Sequence, residues 1–199
     1  MHLKLGERVS LSEEENGEIR LTSSWSTLSW KNATPALRFC LRQLAEKGAH
    51  EESLIDELFE EEGDHSLALL YHALAQMKER AFLLLTPFWQ ESPFITLRPI
   101  APHYTWHEDA VDETEPFVLT PYTSSFQKNG ECIMETPLNA AYVILRSPES
   151  ISLIKALKQP IQLNQLYQAL PHLPKDLITH SLKLLKSAKI LRRRRSDER

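Results

Sequence analysis

The first part of the chain alternates apolar and polar positions before it changes to helical spacing. Residues 19–22 carry the two-residue period of a half-buried strand, and residues 8–11 and 25–30 are expected to form the strands on either side of it. Asn16-Gly17 lies between the first two of these segments and suits the positive φ angles of a tight hairpin turn. Thr34-Pro35 then predicts the start of a helix, because a hydroxyl can cap backbone N–H groups and proline fits the first helical position.

Three helices are expected after this proline, and a strand is expected at residues 82–85. The second helix covers about residues 53–60, and Gly63-Asp64 begins the third. Gly48 ends the first helix, as glycine commonly does. The apolar stripes of the first and third helices are Leu37, Cys40, Leu41 and Leu44, then Leu67, Leu70, Leu74 and Met77.

The second part of the chain repeats this order. Asn16-Gly17-Glu18 recurs as Asn129-Gly130-Glu131, and Thr34-Pro35 recurs as Ser147-Pro148, both at an offset of 113 residues. Such a repeat indicates that the chain contains two similar structural modules. The predicted second copy has hairpin arms at 117–126 and 131–135, a third strand at 140–145, and helices that begin near residues 148, 163 and 174.

These elements predict an α+β fold of two tandem winged-helix modules, each a three-stranded antiparallel sheet packed on three short helices. We expect the first module at residues 1–98 and the second at 117–191. A proline-rich acidic linker at 99–116 separates them, and a basic tail occupies 192–199.

Composition fits a soluble globular protein, with 42% hydrophobic and 25% charged residues in a chain of 199. No apolar run could span a bilayer, and the N-terminus lacks the apolar core of a signal peptide, so a cytoplasmic location without membrane partners is expected.

Charge is unevenly distributed along the chain: residues 1–115 carry 10 basic and 21 acidic side chains, and residues 116–199 carry 13 basic and 6 acidic side chains. The second part is therefore better suited to polyanions or acidic peptides.

The sequence offers no convincing catalytic, cofactor-binding or metal-binding set. It contains no glycine-rich phosphate loop, nucleophile elbow, HExxH or CxxC motif. The pairs His65 and His72, and His103 and His107, are interpreted as solvated side chains, because metal sites need three or four ligands at defined spacing. The two cysteines, Cys40 and Cys132, are expected to pack as small apolar groups.

A winged-helix arrangement can bind DNA or a peptide. DNA binding would use basic and amide residues of a third helix. The first copy offers Gln76, Lys78 and Arg80 there, but behind an acidic second helix, whereas the second copy offers four lysines, so DNA binding suits only the second copy and nucleic acid is not the expected partner. Peptide capture would instead add an extended segment to an open third strand. The predicted peptide-binding residues are the edge Ala140, Tyr142, Val143, Ile144 and Leu145, and the pocket wall Leu177, Ser181 and Leu184. Their equivalents in the first copy are residues 26–30 and the helix at 67–77, and in both copies these residues also suit a plain core.

Residues 20–28, 34–38 and 135–141, the last followed by Ser147-Pro148, resemble the N-terminal region of cyanobacterial SagB/ThcOx-type azoline peptide dehydrogenases, the cyanobactin oxidase family. The resemblance covers nearly all of this chain but only the front part of such an enzyme. It implies two PqqD-like winged-helix clamps that recognise leader peptides in the biosynthesis of ribosomally made peptide natural products (RiPPs). In that family an FMN-binding nitroreductase-like domain follows the clamps.

The resemblance therefore implies a module that binds the leader of a precursor peptide by strand addition. It carries no catalytic residue onto this chain, and FMN is implied only if a catalytic domain follows Arg199. The chain is expected to be either a free-standing clamp or the N-terminal part of an FMN-dependent thiazoline/oxazoline oxidase. A winged-helix DNA-binding regulator is the remaining alternative. Further partners would be a modifying enzyme or a second copy of the chain.

Overall fold

A computed structural model describes residues 1–15, 17–100, 104, 106, 111, 114 and 116–194, without the side chains of 61, 62, 64 and 65. The described part contains six helices and antiparallel sheets, which confirms a mixed α+β fold. The chain divides into two compact units, one formed by Met1–Leu85 with Pro99–Tyr104 and the other by Thr86–Arg98 with Thr105–Arg199. The module boundaries drawn from the repeat remain predictions, and most of the linker and residues 195–199 of the tail lie outside the described residues.

The first unit begins with four strands, β1 (His2–Leu5), β2 (Ser10–Glu13), β3 (Ile19–Thr22) and β4 (Thr27–Trp30). Strands β2, β3 and β4 form an antiparallel sheet in that order. Leu21 of β3 is opposite Leu28 of β4, and both side chains are buried, as the alternating pattern predicts. The predicted turn residue Asn16 lies outside the described residues.

Three helices and two short strands complete this unit: α1 (Pro35–Glu46), β5 (Ala49–His50), α2 (Glu51–Glu62), α3 (Asp64–Glu79) and β6 (Leu83–Thr86). Strand β1, which the sequence did not predict, lies between β5 and β6. The buried stripes include the expected Leu37, Cys40, Leu41, Leu44, Leu70, Leu74 and Met77.

Helix α1 begins and ends where its sequence signals predict. The Thr34 hydroxyl accepts a hydrogen bond from the Leu37 N–H at 3.3 Å, and Pro35 is the first helical residue. Gly48 follows the helix at φ 77°, where a Cβ atom would lie 2.7 Å from the Leu3 carbonyl oxygen. A side chain at this position would therefore be strained in its backbone and would also collide with β1.

The second unit has eight strands among its described residues. They are β7 (Phe88–Trp89), β8 (Ser92–Pro93), β9 (Ile95–Pro99), β10 (Phe117–Leu119), β11 (Ser124–Lys128), β12 (Glu131–Glu135), β13 (Ala141–Leu145) and β14 (Leu191–Arg193). One sheet has the order β11, β12, β13, β9, whereas β10 pairs with β14 and β7 with β8.

The second Asn-Gly pair forms the hairpin turn expected of it. Lys128 pairs with Glu131, and Asn129 and Gly130 both have positive φ, as a type I′ turn requires. The prediction that residues 117–126 form one hairpin arm is wrong. The chain turns at residues 120–123, where the Thr120 hydroxyl donates to the Lys189 carbonyl oxygen at 2.8 Å. Strand β10 consequently pairs elsewhere, with β14.

Helices α4 (Pro148–Ala156), α5 (Leu163–Ala169) and α6 (Lys175–Ser187) follow β13. The Ser147 hydroxyl accepts from the Ser150 N–H, and the Ser150 side chain accepts in return from the Ser147 N–H, which forms a capping box ahead of α4. Helix α6 buries its apolar stripe, including Leu177, Ile178 and Leu184. Cys40 is buried, Cys132 is half-buried, and neither forms a disulfide with a described residue.

Candidate functional site

Strand β13 carries the predicted peptide-binding edge of the second copy, but it is an internal strand. It pairs with β12 on one side and with β9 on the other. Phe94, just before β9, accepts a hydrogen bond at its carbonyl oxygen from the Arg146 N–H at 3.0 Å. The expectation that residues 140–145 form an open edge is therefore wrong, because an internal strand has no free row of backbone groups.

The side chains of that predicted site are mostly part of the core. Tyr142 is half-buried, whereas the other named residues of the strand and of the pocket wall are buried: Ala140, Val143, Ile144, Leu145, Leu177, Ser181 and Leu184. The Ser181 hydroxyl donates to the Leu177 carbonyl oxygen at 2.7 Å, so its polar group is satisfied inside α6. These residues thus match the core interpretation, and they form no exposed wall.

In the first unit, the equivalent strand β4 is the last strand of its described sheet. The Ser23 N–H donates to the Ser26 carbonyl oxygen at 2.9 Å, which makes these two residues a hydrogen-bonded pair. Such pairs alternate along an antiparallel ladder with pairs whose backbone groups point away from the partner strand. Thr27 and Ser29 occupy the alternate positions, so their N–H and C=O groups point to the open side of the sheet.

Arg80 lies at this open side, immediately after α3. Its Nη1 donates to the Thr27 carbonyl oxygen at 3.1 Å and to the Ser26 hydroxyl at 3.2 Å. The Trp25 indole Nε1 donates to the Arg80 carbonyl oxygen at 3.3 Å. These three bonds join the end of α3 to the start of β4. The Thr27 carbonyl is thereby occupied. Within the described residues no strand pairs with the outer side of β4, so the Thr27 N–H and both backbone groups of Ser29 can bond to another chain.

A stripe of α3 leads from Arg80 along one face of the helix. Leu69, Ala73, Gln76 and Arg80 share this face because they are spaced four, three and four residues apart. Ala73 is fully buried and Gln76 is half-buried, whereas Leu69 exposes 38% of its surface. The stripe therefore combines a small residue, an amide and an accessible aliphatic side chain, and its Arg80 end lies beside the start of β4.

The solvent face of β4 has its own polar contact. A hydrogen bond from the Ser29 side chain lowers the pKa of the Glu18 carboxyl, and the nearby positive charges of Arg20 and Lys31 act in the same direction. Arg20 lies opposite Ser29 in the ladder and also forms an ion pair with Glu14 at 3.2 Å. These contacts hold the Ser29 side chain on the solvent face, and they do not involve the backbone N–H or C=O group of Ser29.

Sequence reasoning named residues 26–30 and the helix at 67–77 as equivalents in the first copy, and the structure brings the start of β4 beside Arg80, at the end of α3. It missed Trp25 and Arg80 as the residues that join the two elements. A cation directly after a helix was the available signal for Arg80, because the helix C-terminus attracts positive charge. No comparable signal in the sequence distinguishes Trp25 from a core aromatic residue.

The histidine pairs contribute no site to this picture. His103 and His107, and the side chain of His65, lie outside the described residues. Among the side chains that the structure describes, no group of three or more His, Cys, Asp or Glu is placed to hold a metal ion. Within the same part of the chain, no helix is both long enough and apolar enough to cross a bilayer.

Comparison with known proteins does not assign the chain to a family. No family model matches the sequence, and no curated protein matches it significantly.

Proposed function

We propose that this chain binds an extended peptide by adding it as a further strand to β4, and that the peptide is the leader of a ribosomally made precursor. The observation that carries the proposal is the outward backbone of Thr27 and Ser29 on the last strand of the sheet. Main-chain hydrogen bonds to such an edge give affinity, and pockets beside it select alternate side chains.

The order of the elements supports a clamp of the winged-helix type. In the first unit α1, β5, α2, α3 and β6 follow one another as helix, short strand, two helices and strand. The three-stranded sheet β2-β3-β4 precedes them, and α3 ends beside β4 through Arg80. A third helix next to an open third strand is the arrangement expected of a leader-peptide clamp from the resemblance described above.

The acidic residues of the first unit favour a peptide over a nucleic acid as its partner. Helix α2 carries the exposed or half-buried carboxylates Glu51, Glu52, Asp56, Glu57 and Glu60, which would repel phosphate groups. An uncharged strand edge formed by Thr27 and Ser29 has no such conflict with a peptide backbone.

A proline at position 29 tests the proposal directly. Ser29→Pro removes the outward N–H, and proline is tolerated on an edge strand where that N–H faces solvent. Linear peptides selected from a random displayed library on the full chain would serve as probes. We expect Ser29→Pro to weaken them roughly tenfold or more, since an unmet backbone hydrogen bond costs about 1–3 kcal/mol.

Ser29→Ala is the matched control, because it removes the hydroxyl and keeps the N–H. We expect it to bind the selected peptides within about twofold of the parent, since the hydroxyl points to the solvent face. Circular dichroism must first show that both variants are folded. If every selected peptide binds a folded Ser29→Pro variant as tightly as the parent, strand addition at β4 is excluded.

A further inference from the structure

The two units contain the same succession of elements around their third strands. In each, three antiparallel strands are followed by a helix that begins with proline and is capped by a hydroxyl, Thr34 or Ser147. Trp30 precedes Pro35 by the same number of residues as Val143 precedes Pro148. Strands β4 and β13 are therefore equivalent positions in a structural repeat.

The edge of β13 is already filled by a segment of this same chain. Strand β9 lies beside it, with the Arg146 N–H bonded to the Phe94 carbonyl oxygen at 3.0 Å. The Arg98 guanidinium carbon lies 5.7 Å from the centre of the Tyr142 ring. As residue numbers rise from 94 to 98, those of the partner residues fall from 146 to 142, so β9 runs antiparallel to β13.

Transferring this direction to β4 gives an orientation for its peptide. The C-terminal end of a strand that runs antiparallel to β4 would lie beside Thr27, which is where Arg80 is bound. Among the residues that the structure describes, Arg80 forms no ion pair with a carboxylate, since its Nη1 acceptors are the Thr27 carbonyl and the Ser26 hydroxyl. Its remaining N–H donors can therefore bind a carboxylate of the peptide.

We propose that the β4 edge selects a peptide that runs antiparallel to β4 and carries an acidic side chain at its C-terminal end, where Arg80 recognises it. This inference rests on the proposed function for the existence of the peptide site. It adds the direction of the peptide and the residue that determines its specificity. It also assigns peptide binding to the first unit, because β9 occupies the equivalent edge in the second.

The chain itself supplies a matched pair of probes. In the pairing of β9 with β13, Arg98 lies against Tyr142, which is equivalent to Ser29, so the residue two positions later in the peptide lies beside Thr27. The peptides SPFITLRPE and SPFITLRPR copy residues 92–99, the segment that contains β9, and end in glutamate or arginine at the position of Ile100. Fluorescence anisotropy with the full chain would measure both. We expect the glutamate peptide to bind about fivefold more tightly than the arginine peptide, in line with an exposed ion pair.

Charge reversal at position 80 completes a double-mutant cycle. Arg80→Glu should reverse the preference, so that the arginine peptide becomes the tighter ligand by a similar factor. Arg8→Glu is the control for net charge, because Arg8 is an exposed cation that precedes β2, and this variant should keep the preference for glutamate. A preference that is equal in the parent and in Arg80→Glu would overturn the assignment of Arg80.

The remaining outcomes separate this inference from the proposed function. If neither peptide binds the parent, or if both still bind Ser29→Pro, the proposal of an antiparallel acidic motif is wrong. The proposed function would still stand if library peptides bind the parent and lose affinity in Ser29→Pro. If the library also gives no Ser29-dependent peptide, both proposals fail together.

Discussion

Arg80 Nη1 donates to the carbonyl oxygen of Thr27 at 3.1 Å, across a separation of 53 residues in the chain. The bond fixes the end of α3 against the first residue of β4. The same guanidinium reaches the Ser26 hydroxyl, and the Arg80 carbonyl accepts from the Trp25 indole. A helix end and a strand edge are thus held together by contacts at one arginine, which makes that residue important for stability as well as for recognition.

Replacing Arg80 by glutamine should lower the free energy of unfolding by about 1 kcal/mol, because one charge-assisted bond to a backbone carbonyl is lost on an exposed surface. Urea unfolding monitored by tryptophan fluorescence would measure the change. Arg8→Gln is the control, since it removes an exposed arginine of the same charge. Equal stabilities of the two variants would show that the bond to Thr27 contributes nothing measurable.

The two hydroxyl caps should each stabilise the helix they precede. Thr34→Ala and Ser147→Ala leave the N–H groups of Leu37 and Ser150 without their acceptors, at a cost of about 1 kcal/mol each. Thr34→Ser and Ser147→Thr keep an acceptor and should recover most of the loss. Thermal unfolding of all four variants would measure this, and an unchanged melting temperature in the alanine variants would contradict the capping role.

His2 should make the first unit sensitive to acid. Burial lowers the pKa of His2 below 6.5, and the positive charges of His50, Lys4 and the N-terminus act in the same direction. The unfolded chain binds a proton at His2 more readily than the folded chain does. The free energy of unfolding is therefore unaffected by His2 above pH 6.5, and it falls as the pH decreases below that value. Unfolding free energies measured across this range should show the loss.

His2→Phe keeps an aromatic ring beside His50, whose ring centre lies 5.3 Å from that of His2, and it removes the titrating group. We expect the acid dependence between pH 6.5 and the folded pKa of His2 to become shallower in this variant. His72→Gln, at an exposed position of α3, should leave the slope as it is. If both variants keep the parent's slope, His2 is not its origin.

Local signals in the sequence were sufficient for the elements that depend on nearby residues. Thr34-Pro35 and Ser147-Pro148 begin helices as expected, and Asn129-Gly130 forms the expected turn. In each case the physical cause is contained within a few residues, as a cap or a positive φ angle. The alternation at residues 19–22 likewise predicted β3 at its observed bounds.

Pairing between distant strands was not predictable in the same way. Residues 140–145 were correctly expected to form a strand, but nothing in this segment specifies that β9 lies beside β13. Likewise, residues 117–126 read as one arm although the Thr120 side chain is bonded to Lys189, far along the chain. Periodicity reports which face of a strand is buried, whereas the neighbour on each edge depends on the whole topology. The sheet order therefore leaves an open third strand at β4 and not at β13.

Two leucines on third helices provide a final test of this reassignment. Leu184 of α6 is fully buried, so Leu184→Ala should cost about 2–5 kcal/mol of stability through lost burial and the cavity left behind. Leu69 of α3 is 38% exposed on the helical face that ends at Arg80, and Leu69→Ala should cost less stability because its side chain is already partly solvated.

The two substitutions should affect peptide binding in the opposite order, with the larger effect at Leu69. Loss of the exposed aliphatic side chain at position 69 should weaken Ser29-dependent library peptides by roughly threefold to tenfold, whereas a folded Leu184→Ala variant should bind them as the parent does. Differential scanning calorimetry and fluorescence anisotropy on the same samples would separate the two effects. If Leu69→Ala leaves the affinity of these peptides unchanged, Leu69 does not contact the peptide that binds at β4.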